Sequence, residues 1–549
     1  MIKKIIKKKS LLFFLLSLFL ILPSILPLFR PDFFRMHDYI HVARLVELNT
    51  ALRHGQIPPR WAPDFGWGLG MPLFHFYAPL PYYIAQIFYF LGTSAVWSIK
   101  LVFMLNFIAG FYFVYLWAKQ FWGKLGGLLA AASFVYLPYR AVQFYVRGSL
   151  SELTAMTFIP LFFYAVQKKN TILIALAITG IFLSHNVIAL FALFFLSFYF
   201  LFHLKSWKKF LASGLLSFGL SAFFLLPAFF EKQYTSVDSI VTAGYSSYLH
   251  HFIYLRQLFD RKWGYGGSIL GPFDNISFQL GYPQIILAAL ASIVFIKIFR
   301  KNKNKKKFLS ELTYLAIAFL ISVFMMTFHS QFIWTKFKII QLAQFPWRLL
   351  AFTSTFTAFL TGSITYLIKD RQKIKTIVSF LILITIGLNY QFFKPSEYSP
   401  NEDFYYTDKQ KIKAQMSDTL YDYLPINAKK PPKVPDKQYQ TLADITDFNS
   451  KTGYFSFTSN TSKTEDFILN QYFFPGWQVK INNQLVDIKP DEQLGRIQFQ
   501  LPSGEHQVKI KLAKTKLQYW SDIISLISWT GLIGFLLLRK KINYDRIKF

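Results

Sequence analysis

Two polar stretches stand out among long apolar runs, and their side chains could perform acid–base and phosphate chemistry. The first runs from Met36 to Glu47 and contains a carboxylate, Asp38, directly after His37. If the stretch is helical, the three- and four-residue spacing places His37, His41, Arg44 and Glu47 on one stripe. A carboxylate between imidazole and guanidinium groups could act as a general base or bind a divalent cation. The alternative is the solvated face of an amphipathic helix.

The second stretch brings two guanidinium groups and a carboxylate to one end of an apolar segment. Arg140, Arg147 and Glu152 lie within thirteen residues. Arginine suits bidentate binding of phosphate. An unpaired charge is costly where Glu152 lies, at the start of the apolar segment, which indicates a functional role. The alternative is an Arg147–Glu152 ion pair that pins the helix end.

Two further polar residues lie beside apolar segments. His185 lies in a turn between two of them and is interpreted either as a ligand or as a helix-end hydrogen bonder. Arg348 follows Phe345-Pro346-Trp347. We interpret Arg348 as an interfacial anchor that extends toward lipid headgroups rather than as part of a phosphate site.

The composition indicates that these residues are positioned by membrane helices. The 549 residues are 53% hydrophobic and 16% charged, with a mean hydropathy of +0.32. A soluble protein would have about 25% charged residues. The chain has no cysteine, which excludes disulfides and thiolate sites.

The net charge of +32 is concentrated in short lysine and arginine clusters beside apolar segments. This is the positive-inside pattern of membrane proteins, so we expect membrane lipids and no nucleic acid as partners. The largest clusters are 3–9, 205–209, 301–307 and 369–375.

Segment length and the parity of the basic loops predict about twelve transmembrane helices with both termini in the cytoplasm. Leu80–Leu91 is too short to span and is predicted to be an interfacial helix. The main outward loops are then 30–96 and 227–282, and the latter is either a lid or a static loop. The predicted spans are 11–29, 97–117, 124–138, 152–166, 171–184, 186–203, 208–226, 283–299, 311–328, 346–368, 374–391 and 521–538.

Residues 395–518 form a separate polar block with period-two stretches, which predicts an outward-facing C-terminal β-sandwich-like domain. Gly476–Val486 is predicted to be a hairpin about Asn482-Asn483, and Gly495–Leu512 another pair of strands about Pro502-Ser503-Gly504. The domain prediction is therefore 1–394 for the transmembrane part, 395–518 for the β-rich domain, and 519–549 for a last helix with a basic tail. The glycine-rich stretch 66–70 lacks the Lys-Ser/Thr of a phosphate loop, which favours tight turns under aromatic residues.

Several motifs together resemble the 6-pyruvoyl-tetrahydropterin synthase-related membrane family, and the resemblance covers most of the chain. The motifs are His37-Asp38, Pro59-Arg60-Trp61, Arg147-Gly148 with Glu152, Leu183-Ser184-His185-Asn186 and Phe345-Pro346-Trp347-Arg348. That family is similar in layout to the GT-C glycosyltransferases. Many GT-C members have adjacent acidic residues, whereas this chain has His37-Asp38, and this departure leaves a divalent-cation requirement open.

The resemblance implies a polytopic α-helical, GT-C-like enzyme of the prokaryotic plasma membrane. It would transfer a hexosyl or pentosyl group, with inversion, from a polyprenyl-phosphate donor to an envelope glycan, lipid or protein. Asp38 would be the general base, and Arg147 with Arg140 would neutralise the phosphate. Glu152 would orient Arg147 or the acceptor, and His37 and His185 would contact phosphate or sugar.

Two other functions stay open on the sequence. The chain could be a transporter or flippase for a lipid-linked saccharide, although ion-coupled transport favours charges in the middle of spans. It could also be a non-catalytic envelope-assembly protein.

Overall fold

The computed structural model describes residues 2–240, 242–301, 306–399, 406–414 and 422–545. The predicted basic cluster 301–307 lies partly outside these residues. The described chain forms two compact units, each drawn from three stretches. The first contains 1–39, 91–214 and 242–402, and the second contains 40–90, 215–241 and 403–549. The predicted domain boundaries remain a prediction.

Eight of the described helices are long and apolar enough to cross a membrane. Thr171–Phe182 and Asn186–Leu201 are apolar but shorter. The predicted span 346–368 contains the α-helix Leu350–Thr361, flanked by the 3-10 turns Pro346–Leu349 and Gly362–Tyr366. The chain is therefore a multi-pass membrane protein by helix length and composition, while the number twelve and the orientation remain predictions. The eight segments are Leu11–Phe29, Ala95–Val135, Leu150–Gln167, Leu204–Phe230, Tyr282–Arg300, Phe308–Met326, Gln372–Phe392 and Lys516–Arg539.

The first unit is built around the helix Ala95–Val135, which packs against the segments before and after it. Gly123, at φ 70° and ψ −176°, interrupts the helical backbone, close to the predicted break between two spans. Trp117 stacks against Phe163 and Phe359, with ring centroids 4.7 and 4.0 Å away. The other long helices of this unit are Ile2–Ile25, Leu150–Gln167, Thr171–Phe182, Asn186–Leu201, Tyr282–Lys301, Lys306–Met326, Leu350–Thr361 and Arg371–Asn389.

Short elements connect these helices. Strand β1 (Phe33–Phe34) pairs antiparallel with β2 (Tyr398–Ser399). The Lys100 ammonium donates to the carbonyls of residues 30 and 32, both at 2.7 Å, which fixes the chain just before β1. The short helical turns are Leu26–Phe29, Pro138–Ala141, Val142–Val146, Leu204–Ser206, Gly244–Ser246, Tyr248–His250, Leu255–Leu258, Phe328–Ser330, Gln331–Lys336, Lys338–Gln341, Pro346–Leu349, Gly362–Tyr366 and Tyr390–Phe392.

The second unit contains a C-terminal β-sheet domain of two antiparallel sheets. Its strands are β3 (Tyr439–Gln440), β4 (Asp444–Lys451), β5 (Tyr454–Thr461), β6 (Glu465–Tyr472), β7 (Trp477–Ile481), β8 (Gln484–Val486), β9 (Lys489–Pro490), β10 (Arg496–Leu501) and β11 (Gly504–Leu512). One sheet has the order β3-β6-β10-β9 and the other the order β4-β5-β11-β7-β8. Aromatic rings form the core between them, with Phe467 centred 4.7 Å from Phe457 and 5.0 Å from Phe499.

One hairpin prediction is confirmed and one pairing is wrong. Asn482 and Asn483 have φ of 48° and 67° and connect the paired strands β7 and β8, as a type I′ turn requires. The predicted pair Gly495–Leu512 instead places β10 and β11 in different sheets. Strand β10 pairs with β6 and β9, and β11 pairs with β5 and β7, so the turn at Pro502 crosses between sheets.

The remainder of the second unit packs the first loop and two membrane helices with the β-sheet domain. The predicted polar stripe fails at its start, because the helix begins at His41 and leaves His37 outside. His41, Arg44 and Glu47 are buried rather than solvated. The helices of this unit are His41–Arg53, Leu73–Phe76, Leu80–Phe90, Trp207–Phe230 (from residue 215 onward), Lys232–Tyr234, Val237–Ile240, Lys409–Ala414 and Lys516–Asp545.

The glycine-rich stretch forms tight turns under aromatic rings, as predicted. Gly66, Trp67, Gly68 and Gly70 all have positive φ. A Cβ on Gly70 would collide with the indole of Trp61, so no larger residue fits this turn.

Candidate functional site

The candidate site lies in the first unit, where the chain between β1 and residue 39 meets the segment 139–152. The His37 amide donates to the Val146 carbonyl at 3.1 Å, and the Asp38 amide donates to the Arg147 carbonyl at 2.9 Å. These bonds tie the turn before the helix His41–Arg53 to the segment that ends at Arg147. They bring Asp38 beside Arg147.

A glycine permits this close approach. Gly148 has φ +64°, a left-handed conformation that L side chains rarely adopt. A Cβ at this position would overlap the side chain of Met36. The motif Arg147-Gly148 is therefore required by packing under the Asp38 segment.

The segment before Arg147 contains one turn of π-helix, Val142–Val146. Such turns are rare and often occur at functional sites. The Arg147 amide donates to the Val142 carbonyl at 2.8 Å and the Ser149 amide to the Gln143 carbonyl at 2.7 Å. The wide turn presents Tyr139, Gln143 and Arg147 to the start of the next helix, where Glu152 lies.

Glu152 is fully buried and is surrounded by donors. Arg147 donates from Nη1 to Glu152 Oε2 at 2.8 Å, and Arg348 Nε lies 3.5 Å from the same oxygen. Tyr139 and Gln143 donate to the other oxygen, at 2.5 and 3.2 Å. The Arg147–Glu152 ion pair, which the sequence left as an alternative, is present, and it belongs to a larger cluster.

Asp38 completes this cluster, which comprises Asp38, Arg147, Glu152, His185 and Arg348. The Asp38 carboxylate acts electrostatically on Arg147 and Arg348. The Asp38 side chain is half-buried, whereas Glu152 has no exposed surface. The neighbouring carboxylates raise the pKa of Arg147 against the opposing effect of burial, so its guanidinium stays charged. Burial and Glu152 raise the pKa of Tyr139, so its phenol stays a donor.

Sequence reasoning placed Arg348 wrongly. The side chain is 11% exposed and lies at Glu152, so it does not extend toward headgroups as an interfacial anchor. Its guanidinium also lies over the Phe345 ring, 4.8 Å from the centroid. The alternative, a place in the same cluster as Arg147, is what the structure shows. The neighbouring Trp347 lies in the same place, with the Arg147 guanidinium over its ring at 4.7 Å from the centroid.

His185 is both a helix-end hydrogen bonder and a neighbour of the cluster. Its Nδ1 accepts the Ile188 amide at 3.1 Å and caps the helix Asn186–Leu201. Burial, and then the positive charge of Arg348, lowers the pKa of His185 to about 3. The ring is therefore neutral, and because Nδ1 accepts, the proton resides on Nε2.

His37 and the segment 242–282 lie against the same cluster. His37 Nε2 lies 2.9 Å from the Tyr265 carbonyl, so this nitrogen carries the proton and Nδ1 is left as an acceptor. Trp347 Nε1 donates to Ser268 Oγ at 3.1 Å, and that hydroxyl lies 2.7 Å from His251 Nδ1. These contacts fix the segment against the side of Arg147.

Arg140 lies apart from these contacts. Its side chain is fully buried between the rings of Phe107 and Phe134, and Nη2 donates to the Asn106 carbonyl at 3.1 Å. Its Nε and Nη1 have no partner among the described residues. A phosphate-binding role for Arg140 stays a prediction.

Metal-ligating side chains do not cluster in the part of the chain that the structure describes. There, no three His, Asp or Glu side chains converge as metal ligands. The divalent-cation requirement that the sequence leaves open is not changed by this.

A curated protein and a solved structure are each similar to part of the chain. No family model matches the chain. An uncharacterized protein of Lactococcus lactis subsp. cremoris (strain MG1363) is 27% identical over 316 residues, which covers 53% of this chain. The chain spans about half (50%) of the length of that relative. The crystal structure of the oligosaccharyltransferase of Archaeoglobus fulgidus in the apo form is similar with a TM-score of 0.41 and 13% identity, covering 72% of this chain and 55% of that one. This likeness is too loose to support conclusions about residues or activity, and the resemblance to the 6-pyruvoyl-tetrahydropterin synthase-related family stays a prediction.

Proposed function

We propose that the chain is a membrane glycosyltransferase that uses a polyprenyl-phosphate-linked sugar and an envelope acceptor on the extracytoplasmic face. The observation that supports it is the pairing of one accessible carboxylate, Asp38, with two guanidinium groups that share a buried counter-ion. This pairing provides a base and a phosphate-binding charge in one place.

The charges of the cluster suit the departure of a lipid phosphate. Arg147 and Arg348 carry two positive charges, which are balanced by the buried Glu152 and by Asp38 when it is ionised as the base. When Asp38 takes up the proton of the acceptor hydroxyl it loses its negative charge, so the cluster gains one net positive charge as the leaving lipid phosphate gains a negative one.

The reaction is a single displacement at the anomeric carbon. An acceptor hydroxyl loses its proton to the Asp38 carboxylate as its oxygen attacks the anomeric carbon. The bond from that carbon to the phosphate oxygen breaks, and the electron pair leaves with the lipid phosphate. Arg147 and Arg348 stabilise the charge that develops on this leaving group. A direct displacement inverts the configuration at the anomeric carbon.

Glu152 acts through Arg147 in this proposal. Because its two oxygens already accept from three side chains and pair with Arg348 as well, it is a positioning residue and does not contact substrate. His185 Nε2–H and His37 Nδ1 provide a donor and an acceptor for sugar hydroxyls.

The test is a donor screen on the purified full-length protein in lipid nanodiscs, with polyprenyl-phosphate hexoses and pentoses and a lipid-extractable acceptor fraction. Asp38→Asn should lower the transfer rate about 10²–10⁴-fold, the usual contribution of a general base. Asp32→Asn is the matched control, because Asp32 lies in the same loop and its carboxylate pairs with the exposed Arg30. Transfer by Asp38→Asn at the wild-type rate would exclude Asp38 as the base.

The transporter alternative is separated by a second measurement on the same preparation. In liposomes, a flippase moves the labelled lipid-linked sugar between leaflets and leaves it intact. Translocation without any transferred sugar would replace the transferase proposal.

A further inference from the structure

We propose that the C-terminal β-sheet domain binds an uncharged glycan in a groove beside its β7–β8 hairpin. The groove has a volume of about 630 Å³. It is lined by fifteen residues of both sheets, all of which lie between Thr464 and His506 in the sequence. We call it the hairpin groove. Pockets that hold small organic ligands are about 300–1,000 Å³, so a short oligosaccharide fits.

The groove forms where both sheets end. Strand β8 is the edge of the five-stranded sheet and β9 is the edge of the four-stranded sheet. The link between them, Asp487-Ile488, lies in the lining. The groove is therefore a persistent feature of the fold, built on paired strands and the I′ turn at Asn482-Asn483.

Its accessible walls combine amide and carboxylate groups with a larger share of apolar surface. Ile481 and Phe499 line the groove but are only 6% and 3% exposed. Within the described residues, the side chains of Gln484 and Gln498 have no hydrogen-bond partner in the protein, whereas Asn482 is bonded to His506 at 2.9 Å. A free amide donates and accepts at once, as the hydroxyl groups of a sugar do.

Charge decides against an anionic ligand. Two carboxylates, Asp466 and Asp487, and one ammonium, Lys489, line the groove, which leaves it one unit negative. The whole chain is strongly basic, with a net charge of +32. The groove differs from it in having no excess of positive charge. A phosphate, a nucleic acid or an acidic polymer would meet repulsion here, while a neutral polyhydroxyl chain would not.

One exposed apolar side chain suits the carbon-bound hydrogens of a sugar ring. Leu485, in strand β8, lines the groove and is 65% exposed. Because successive residues of a strand point to opposite faces, Leu485 and Gln484 would contact different parts of an oligosaccharide, one through an apolar surface and the other through an amide.

This inference names the acceptor of the proposed transferase as a neutral glycan, and it rests on that function for its biological purpose. The binding itself is independent of catalysis. Glycan binding should therefore persist in Asp38→Asn, which separates the failure of one proposal from the failure of the other.

The test measures binding of cellotetraose, chitotetraose and a heparin-derived tetrasaccharide to the full-length protein in nanodiscs by saturation-transfer NMR. A neutral tetrasaccharide should bind, and Gln498→Ala and Gln484→Ala should each weaken it about fivefold through the loss of one amide partner. Gln478→Ala is the matched control, since Gln478 is an exposed glutamine of β7 outside the groove. The thermal midpoint of each variant shows that it is folded.

Three results would overturn the proposal. The first is that neither neutral tetrasaccharide binds. The second is that both bind to Gln484→Ala and Gln498→Ala as well as they bind to the wild-type protein. The third is that the heparin tetrasaccharide binds in preference to both neutral ones. The last result would identify an anion site instead.

Discussion

Replacing Glu152 by glutamine tests whether charge holds the site together. The amide keeps the shape of the side chain and can still accept from Tyr139 and Gln143. It removes the counter-ion shared by Arg147 and Arg348, whose side chains are only 9% and 11% exposed. Two guanidinium groups are then left close together with little access to water.

The expected loss of stability follows from this burial. Removing one partner of a buried ion pair typically costs about 3–5 kcal/mol. Asp38 still acts on both arginines, so we expect the lower end, about 3 kcal/mol. In detergent this should lower the thermal midpoint, followed by tryptophan fluorescence, by on the order of 5 °C.

The matched control is the same substitution in an exposed pair of the same unit. Glu397 lies 3.0 Å from Arg35, and their side chains are 58% and 75% exposed. Glu397→Gln should cost less than about 1 kcal/mol, because exposed pairs contribute little.

A double-mutant cycle gives the decisive result. Arg147→Gln alone leaves Glu152 with Arg348 as its only guanidinium partner. Together with Glu152→Gln it should cost at least about 1 kcal/mol less than the sum of the two single changes, because the pair is removed as a unit. Additive effects, or a Glu152→Gln midpoint equal to that of Glu397→Gln, would refute the electrostatic account of the cluster.

Three further outcomes are expected. Gly148→Ala should lower the thermal midpoint and the transfer rate together, because the left-handed φ and the overlap with Met36 cost about 1–3 kcal/mol. Gly92→Ala is the control for backbone strain alone, because Gly92 also has a positive φ but a Cβ there would lie in open space. The lowered pKa of His185 means that the unfolded chain binds a proton between about pH 6.5 and pH 3 that the folded chain does not. Stability should therefore fall as pH falls through this window, and His185→Gln should flatten that slope in midpoint measurements from pH 7 to pH 4; an unchanged slope would contradict the assignment. Arg348→Ala should weaken donor binding and lower stability, whereas loss of an interfacial anchor would leave the KM for the donor unchanged.

Local patterns predicted the parts of the site that lie near each other along the chain. Apolar segment lengths located the eight long apolar helices. The short separation of Arg147 and Glu152 at the start of one helix gave their ion pair as the alternative to a phosphate-binding role. The Asn482-Asn483 turn was predictable because its conformation is fixed by two residues. In each case the determining contacts lie within a few residues.

Non-local contacts account for the failures. Arg348 lies 196 positions after Glu152, and no periodicity reports that its guanidinium contacts the same carboxylate. Residues 37–40 form a turn before the helix that begins at His41, and the His37 and Asp38 amides bind the carbonyls of Val146 and Arg147, which are far away in the sequence. The sequence spacing does not report such contacts. Strands β10 and β11 separate into two sheets because each finds partners elsewhere in the domain.

The two carboxylates of the cluster differ in solvent exposure, and this difference assigns their roles. Glu152 has no exposed surface, and its oxygens are occupied by two guanidinium groups, a phenol and an amide. Asp38 is half-buried, and its backbone is bonded directly to that of Arg147. A phosphate that approaches Arg147 must therefore arrive on the side that Glu152 leaves open. In our proposal the backbone bond keeps the base and the phosphate-binding cation at a fixed separation throughout the transfer, so that one substrate orientation serves both.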